Sequence, residues 1–341
     1  MNSRELFLAN ANGEYTSKTP IWLMRQAGRF LPEYRKVREQ YTFEALAKSP
    51  KDAAVVTAQP VDRFGFDAAI IFSDIMFVLE PIGIDLTFDP GPKLSPFLET
   101  PEQVDGYQRY KASEKLGFVA DVICETRKVV GKEKAVLGFA GAPFTIFCYL
   151  CGLQGARGMD KVYHFMLNHP QAAHKVLDLL ADVTIDYLKM QLDAGVDGVQ
   201  IFDTWAGDLS CDEFKIWAKP YQAKIVKAIR AEGHLIIAYA RNNYHLFDEI
   251  CMLDASIYGL DWRVPLSYAK AAANGTPLQG NFNPHQLLGS ATSVVAQTTT
   301  ILNEMKDYSG YIFNLGHGIL PNTPIENVQA MVDTVRNFDR A

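Results

Sequence analysis

The sequence predicts an α/β protein: a single (β/α)8 barrel of the TIM type spanning 1–341, with an N-terminal extension and a cleft at the C-terminal ends of the strands. Three observations carry this expectation. Short apolar, β-branched runs alternate with long helical patterns, the rhythm of a parallel sheet. Eight such runs occur, the number that closes this barrel. No Pro/Gly/Ser linker, low-complexity tract or internal repeat divides the chain. An open doubly wound sheet is the alternative, and periodicity does not separate the two.

In chain order the candidate strands are 21–24, 68–72, 135–139, 198–202, 235–238, 255–258, 276–278 and 310–314. They are mostly apolar on both faces, as suits strands with helices on one side and a packed interior on the other. The stretch 84–94 holds β-like residues and two prolines and reads as an excursion outside the sheet, such as a hairpin. Thr100-Pro101-Glu102-Gln103, Ser210-Cys211-Asp212-Glu213 and Thr323-Pro324-Ile325-Glu326 have the spacing of capping boxes, and two place proline at the first helical position. Across 172–194, Val176, Leu180, Val183, Tyr187 and Met190 recur at helical spacing and make one apolar face; Gly195 is placed to end that helix.

Composition narrows the function. Hydrophobic residues are 48% and charged ones 21% of the 341 residues, a globular and not a disordered balance. No uncharged apolar stretch of ~18 residues occurs, so no membrane span is expected. A formal net charge of −6 argues against a non-specific nucleic-acid binder. The N-terminus lacks a basic start and an apolar signal run, which points to the cytoplasm. Five irregularly spaced cysteines read as reduced thiols, not a disulfide framework. Cys148 and Cys151 form a CxxC, but with no second pair and no nearby histidine they read as core packing.

In a barrel the reacting groups sit just past the strand ends. There the sequence places Arg25, Arg29, Asp74, the loop 138–149, Asp203, Thr204, Arg241, Asp261, Asn281 and His317. Between Arg25 and Arg38 lie four arginines in fourteen residues. Guanidinium groups grip carboxylates or phosphates bidentately, so in an acidic chain this cluster points to a small polyanion. The competing reading is a solvated face with ion pairs to Glu33 and Glu39. Asp74 ends an apolar run and is expected partly desolvated at the barrel mouth, with a helix N-cap as its alternative role. Gly138-Phe139-Ala140-Gly141-Ala142-Pro143-Phe144-Thr145 offers small residues where a ligand or backbone could approach closely. Tyr149 follows one turn later and, alone, reads as a core tyrosine. His317, glycine-flanked after the last strand, is the strongest histidine candidate. Nucleotide-binding motifs and zinc-binding spacings are absent.

These motifs resemble a known family. Pro20-Ile21-Trp22-Leu23-Met24-Arg25-Gln26-Ala27-Gly28-Arg29-Phe30-Leu31-Pro32-Glu33-Tyr34-Arg35 closely resembles the amino-terminal signature of the uroporphyrinogen decarboxylases, and 138–145 resembles their second signature. Phe66-Asp67-Ala68-Ala69-Ile70-Ile71-Phe72-Ser73-Asp74-Ile75, Gly259-Leu260-Asp261-Trp262, Leu278-Gln279-Gly280-Asn281 and Gly316-His317-Gly318 follow in the family's order, so the likeness runs from about residue 3 to 339. It implies a cofactor-free barrel, a homodimer, and removal of the acetate carboxyls of uroporphyrinogen III as carbon dioxide on the heme pathway. It further implies that Arg25, Gln26, Arg29 and Arg38 bind the substrate, with the arginines on its carboxylates. Asp74 would bind the pyrrole NH groups, and Tyr149, Thr204 and His317 would line the cleft. Catalysis would rest on Arg25 and Asp74. Proton delivery is open between Arg25, a water or substrate carboxyl held by it, and His317. Corrinoid- or thiol-dependent methyltransferases share this barrel but bind zinc through a His-x-Cys, which is absent here. Two departures stand out: 239–244 lacks the family's glycine-rich, lysine-containing pattern, and Asn283 replaces the usual Asp. Thr204 keeps the hydroxyl of the Ser found in some members.

Overall fold

The computed structural model describes residues 1–88, 91–155 and 157–340. Its strands are β1 (Ala68–Ile70), β2 (Asp85–Phe88), β3 (Pro92–Ser95), β4 (Ala135–Gly141), β5 (Gly198–Asp203), β6 (Ile236–Ala240), β7 (Ile257–Gly259), β8 (Leu278–Phe282) and β9 (Tyr311–Leu315). Seven of them form one parallel sheet in the order β1-β4-β5-β6-β7-β8-β9. The predicted excursion is the antiparallel hairpin β2–β3, although 89–90 at its tip lie outside the described residues.

The first candidate strand, 21–24, is corrected. Only Ile21 bridges Phe313 of β9. Phe313 N–H donates to Pro20 C=O at 2.9 Å, and on the opposite flank Asp67 N–H donates to Ile21 C=O at 2.9 Å. Side chains then take over from a ladder: Gln26 Oε1 accepts from Leu23 N–H at 3.1 Å and Asn314 Oδ1 from Met24 N–H at 3.0 Å. Arg25, at φ 62, turns the chain out of extended geometry. The eighth predicted run, 310–314, holds as β9. The seventh, 276–278, is displaced forward to β8, because β8 buries polar Gln279 and Asn281, which break the apolar pattern.

Alternation along the strands separates two cores. Trp22, Met24, Ala68, Ile70, Ala135, Leu137, Ile237, Tyr239, Ile257 and Ile312 share one inner cluster. Their neighbours Ala69, Val136, Ile236, Ala238, Tyr258, Tyr311 and Phe313 pack outward against the helices. Residues from strands far apart in the sheet order meet in the inner cluster, so the sheet curls around it. The N-terminal extension is the helix Ser3–Ala11, which sends Phe7 and Ala11 into this interior. Trp22 Nε1 donates to Gln279 Oε1 at 2.9 Å and Gln279 Nε2 to Gln200 Oε1 at 3.0 Å, satisfying the polar groups buried there.

The helix Pro170–Asp193 buries all five residues of its predicted face, and Gly195 follows at φ 106. The capping boxes at Ser210 and Thr100 form. The one at Thr323 does not: the helix Ile325–Asn337 takes Pro324 as its N-cap, one residue late, and leaves the buried Thr323 hydroxyl without a partner. Among the described residues no helix is long and apolar enough to cross a membrane.

Candidate active site

The turn after Met24 presents Arg25, and the loop after β9 receives it. A Cβ on Gly318 would lie 2.3 Å from Arg25 Cδ, so only glycine leaves room for that side chain. Ile319 N–H fastens the same loop to Met24 C=O at 3.0 Å. Arg25 has no carboxylate partner among the described residues, and neither have Arg29 or Arg38. The expected alternative of local ion pairs fails at Glu33, which instead pairs with Arg63 at 2.5 Å. Arg35 spends its guanidinium on the carbonyls of Arg29 (2.7 Å) and Phe30 (3.1 Å). Arg38 donates to Tyr41 C=O at 3.2 Å and sits 5.9 Å over the Phe43 ring.

Asp74 stands at the entry to the 3-10 helix Ile75–Ile82 and accepts Met76 N–H at 2.9 Å, so the N-cap role is real. Only one carboxylate oxygen is occupied by that bond. Loss of solvent pushes its pKa up to about 6, against the opposing pull of the Met76 N–H and the Arg25 charge. Tyr149 is half-buried on the helix Pro143–Leu150, its ring edge-on to Trp205 at 6.3 Å. Burial chiefly raises its hydroxyl pKa; the Asp74 charge adds to this and Arg25 opposes it.

His317 lies near Tyr239, with Nδ1 3.2 Å from the hydroxyl, and its ring is 6.3 Å from Trp262. Burial first, then the charges of Arg25, Arg241 and Arg263, lowers its pKa to about 3. It is therefore neutral near pH 7 in the ligand-free protein. Arg25 thus acts electrostatically on Asp74, Tyr149 and His317 together. Arg29 and Arg38 act on Tyr34 instead, further along the same segment. Arg241 lies 5.8 Å over the Trp205 ring and adds a cation where the atypical 239–244 segment begins.

Several ring members prove to be scaffold. Asp203, buried, accepts from Thr145 Oγ1 at 2.5 Å and Gln222 Nε2 at 2.6 Å. Trp205 N–H donates to that same Thr145 hydroxyl at 3.1 Å, which fixes the turn carrying half-buried Thr204. Asp261 accepts Asn242 N–H (2.9 Å) and Arg263 Nη1 (3.0 Å), and Asn281 Nδ2 donates to Val264 C=O at 2.7 Å. The glycines of 138–145 serve helix packing, not a ligand: a Cβ at Gly138 would lie 2.3 Å from Gln191 Oε1, and one at Gly141 2.5 Å from Ile146 Cδ1. Cys148 and Cys151 are buried in the outer core.

Gln26 is also corrected. Its side chain is fully buried, and besides accepting Leu23 N–H it donates to Ala68 C=O at 3.1 Å, tying the arginine turn to β1. Its amide is buried and turned toward these two backbone groups, away from solvent. Gln26→Leu should cost about 2–4 kcal/mol of stability, read from the midpoint of urea unfolding, because two buried backbone groups lose their partners. A midpoint equal to that of the parent protein would contradict this role.

Sequence reasoning missed Tyr239, Trp205 and Trp262 as site residues. Each lies at or just past a strand end, beside residues that were singled out, and that adjacency was the available signal.

Comparisons place this chain among known proteins. A family model described as uroporphyrinogen decarboxylase (URO-D) matches residues 2–338. Uroporphyrinogen decarboxylase from Syntrophotalea carbinolica is 37% identical over 336 residues, covering 98% of each chain. The protein of that name from Chloroherpeton thalassium is 38% identical over 344 residues, again covering 98% of each. Among solved structures, a methyltransferase from Methanosarcina mazei superposes with a TM-score of 0.84 over 99% of each chain at 18% identity, a likeness of fold alone.

Proposed function

The chain belongs to the uroporphyrinogen decarboxylase family, and from that premise we propose that it converts uroporphyrinogen III to coproporphyrinogen III in porphyrin synthesis, with Arg25 and Asp74 as its catalytic residues. It is a carboxy-lyase: each acetate side chain of the tetrapyrrole leaves its carboxyl as carbon dioxide. The observation that carries the site assignment is Arg25. A guanidinium with no carboxylate partner among the described residues, seated against bare Gly318, acts at once on Asp74, Tyr149 and His317.

The residues fit the chemistry in three respects. A polycarboxylate needs cations that are not already neutralised, and Arg25, Arg29, Arg38 and Arg241 meet that need in an acidic chain. Loss of carbon dioxide needs an electron sink, which protonation of the pyrrole at a carbon next to nitrogen creates. Asp74, with one oxygen on Met76 and the other uncommitted, can accept pyrrole N–H groups and stabilise that cation. Arg25 holds the reacting acetate and delivers the proton through a water or a substrate carboxyl in its grip, since a guanidinium is itself a weak acid. Tyr149, Thr204 and His317 line the cleft, and Gln26 braces the turn that carries Arg25.

The fold reading goes with this. The Ile21 segment, bonded to β9 on one flank and to Asp67 on the other, supports a closed eight-staved barrel as one domain. A cytoplasmic homodimer is the arrangement we propose from the family likeness.

The direct test is anaerobic incubation with uroporphyrinogen followed by a count of the carboxyls remaining. The expected product keeps only the propionates; an octacarboxylate recovered intact would end the proposal. Arg29→Leu should raise KM about 10-fold with kcat within about 2-fold, because a lost carboxylate grip is uniform binding. An unchanged KM would remove Arg29 from the clamp.

A further inference from the structure

We propose that Tyr239 is a positioning residue that holds His317 as the Nδ1–H tautomer, so that the imidazole offers the cleft an unprotonated Nε2 acceptor. The inference deepens the reading of the same site and concerns the ligand-free protein as much as the liganded one.

It starts from a proton count. Tyr239 is buried near the end of β6 and has one hydroxyl proton. That proton goes to the carbonyl of Gly316 at 2.8 Å. No backbone N–H donates to the Gly316 carbonyl among the described residues, so losing this bond would leave a buried acceptor unpaired. With its proton spent, Tyr239 Oη can only accept from His317 Nδ1, 3.2 Å away. Nδ1 must then carry the hydrogen. The two rings lie nearly parallel, 12° apart with centroids 6.5 Å apart, so Nδ1 meets the tyrosine hydroxyl edge to edge.

The surroundings keep the ring from taking a second proton. The charged groups that act on it are Arg25 and Arg241 from the site, Arg263 beside Trp262, and His285 from the loop after β8. All are cationic or able to become so, and burial adds to their effect. Arg263 is partly neutralised by Asp261, whereas Arg25 and Arg241 have no carboxylate partner among the described residues. A neutral ring in a cationic cleft leaves Nε2 as a bare lone pair, with no hydrogen-bond partner among the described residues. Such an acceptor suits an N–H or O–H donor of the ligand: a pyrrole N–H, a protonated carboxyl, or the water that hands a proton to the ring. It gives the site a second acceptor beside Asp74, without a second negative charge to repel the carboxylates. Neither neighbouring sequence nor composition shows this, because Tyr239 lies at the end of β6 whereas Gly316 and His317 follow β9.

The test is a long-range proton–nitrogen correlation spectrum of the ¹⁵N-histidine-labelled full chain, recorded without substrate between pH 6 and 8, with His317→Gln used to assign the signal. The expected spectrum shows Nδ1 as the protonated and Nε2 as the bare nitrogen throughout. In Tyr239→Phe, which keeps the ring and drops the hydroxyl, the two tautomers should mix, and kcat should fall about 3- to 10-fold, the scale of one lost neutral hydrogen bond. An Nε2–H ring in the parent protein overturns the proposal outright, whether or not the variant folds. So does a Tyr239→Phe variant whose tautomer or kcat is unmoved. A purely structural role would lower the unfolding midpoint while leaving the tautomer as it was. Because the spectrum needs no substrate, its outcome is independent of the decarboxylation assay.

Discussion

Asp74→Asn is expected to fold and to lose turnover by about 10²–10³-fold, the usual scale for removing one electrostatic stabiliser of a transition state. The substitution isolates charge from structure. Asparagine keeps an oxygen that can accept Met76 N–H, so the cap on the turn Ile75–Ile82 survives. What disappears is the anion facing the cationic intermediate. The stability effect should have the opposite sign. Folding raises this carboxyl from its ordinary value of 3.8 to about 6, so the native state resists the charge. The folded protein therefore loses stability as pH rises through that window, and the penalty persists above it. At pH 8 the neutral variant escapes the penalty and should melt no lower than the parent. The same shift predicts an acid limb: kcat/KM should rise with pH through about 6 as the carboxylate forms, and the residual activity of Asp74→Asn should lack that limb. Near-parental turnover, or an acid limb that survives the substitution, would remove Asp74 from the chemistry.

The contrast between Asp74 and His317 shows what a sequence can and cannot disclose about such a site. Asp74 and Arg25 are legible because each closes a local string: an apolar run that ends in a carboxylate, and a strand-like run that ends in an arginine cluster. The His317–Tyr239 pair spans 78 residues, and no window along the chain contains both. Gln26 was misassigned for a related reason. Lying inside the most informative motif says that a residue matters, but its bonds to Leu23 and Ala68 decide whether it touches ligand or holds the turn. The strands follow the same logic. A run with an apolar inner face, such as 135–139, was found, since burial alone specifies it. β8 was displaced because Gln279 satisfies its amide against Trp22 and Gln200, a pairing invisible to hydropathy. The segment 21–24 looks like a strand by composition, yet the N–H groups of Leu23 and Met24 go to the side chains of Gln26 and Asn314, so the ladder stops there. In each failure a long-range polar partner overrode a local pattern.

Gly318→Ala should separate position from presence at Arg25. The backbone at Gly318 is in a conformation open to any residue, so alanine brings no intrinsic strain. Its methyl group would nonetheless fall 2.3 Å from Cδ and 2.9 Å from Nε of Arg25. Those atoms belong to a long, partly solvated side chain that can swing aside, so the fold should survive with under about 1 kcal/mol lost. The guanidinium would remain in the cleft but out of its seat, and a displacement near 1 Å can cost on the order of 10²-fold when geometry governs the reacting step. We expect kcat to fall about 10- to 100-fold while the melting transition barely moves. Gly316→Ala, two residues earlier, is the control for a loop that cannot yield: its methyl would meet the backbone N of Trp262 at 2.2 Å, and stability should fall along with activity. If Gly318→Ala turned over at the parental rate, the pose of Arg25 would be dispensable, and the role assigned to its reach toward both Asp74 and His317 would have to be given up.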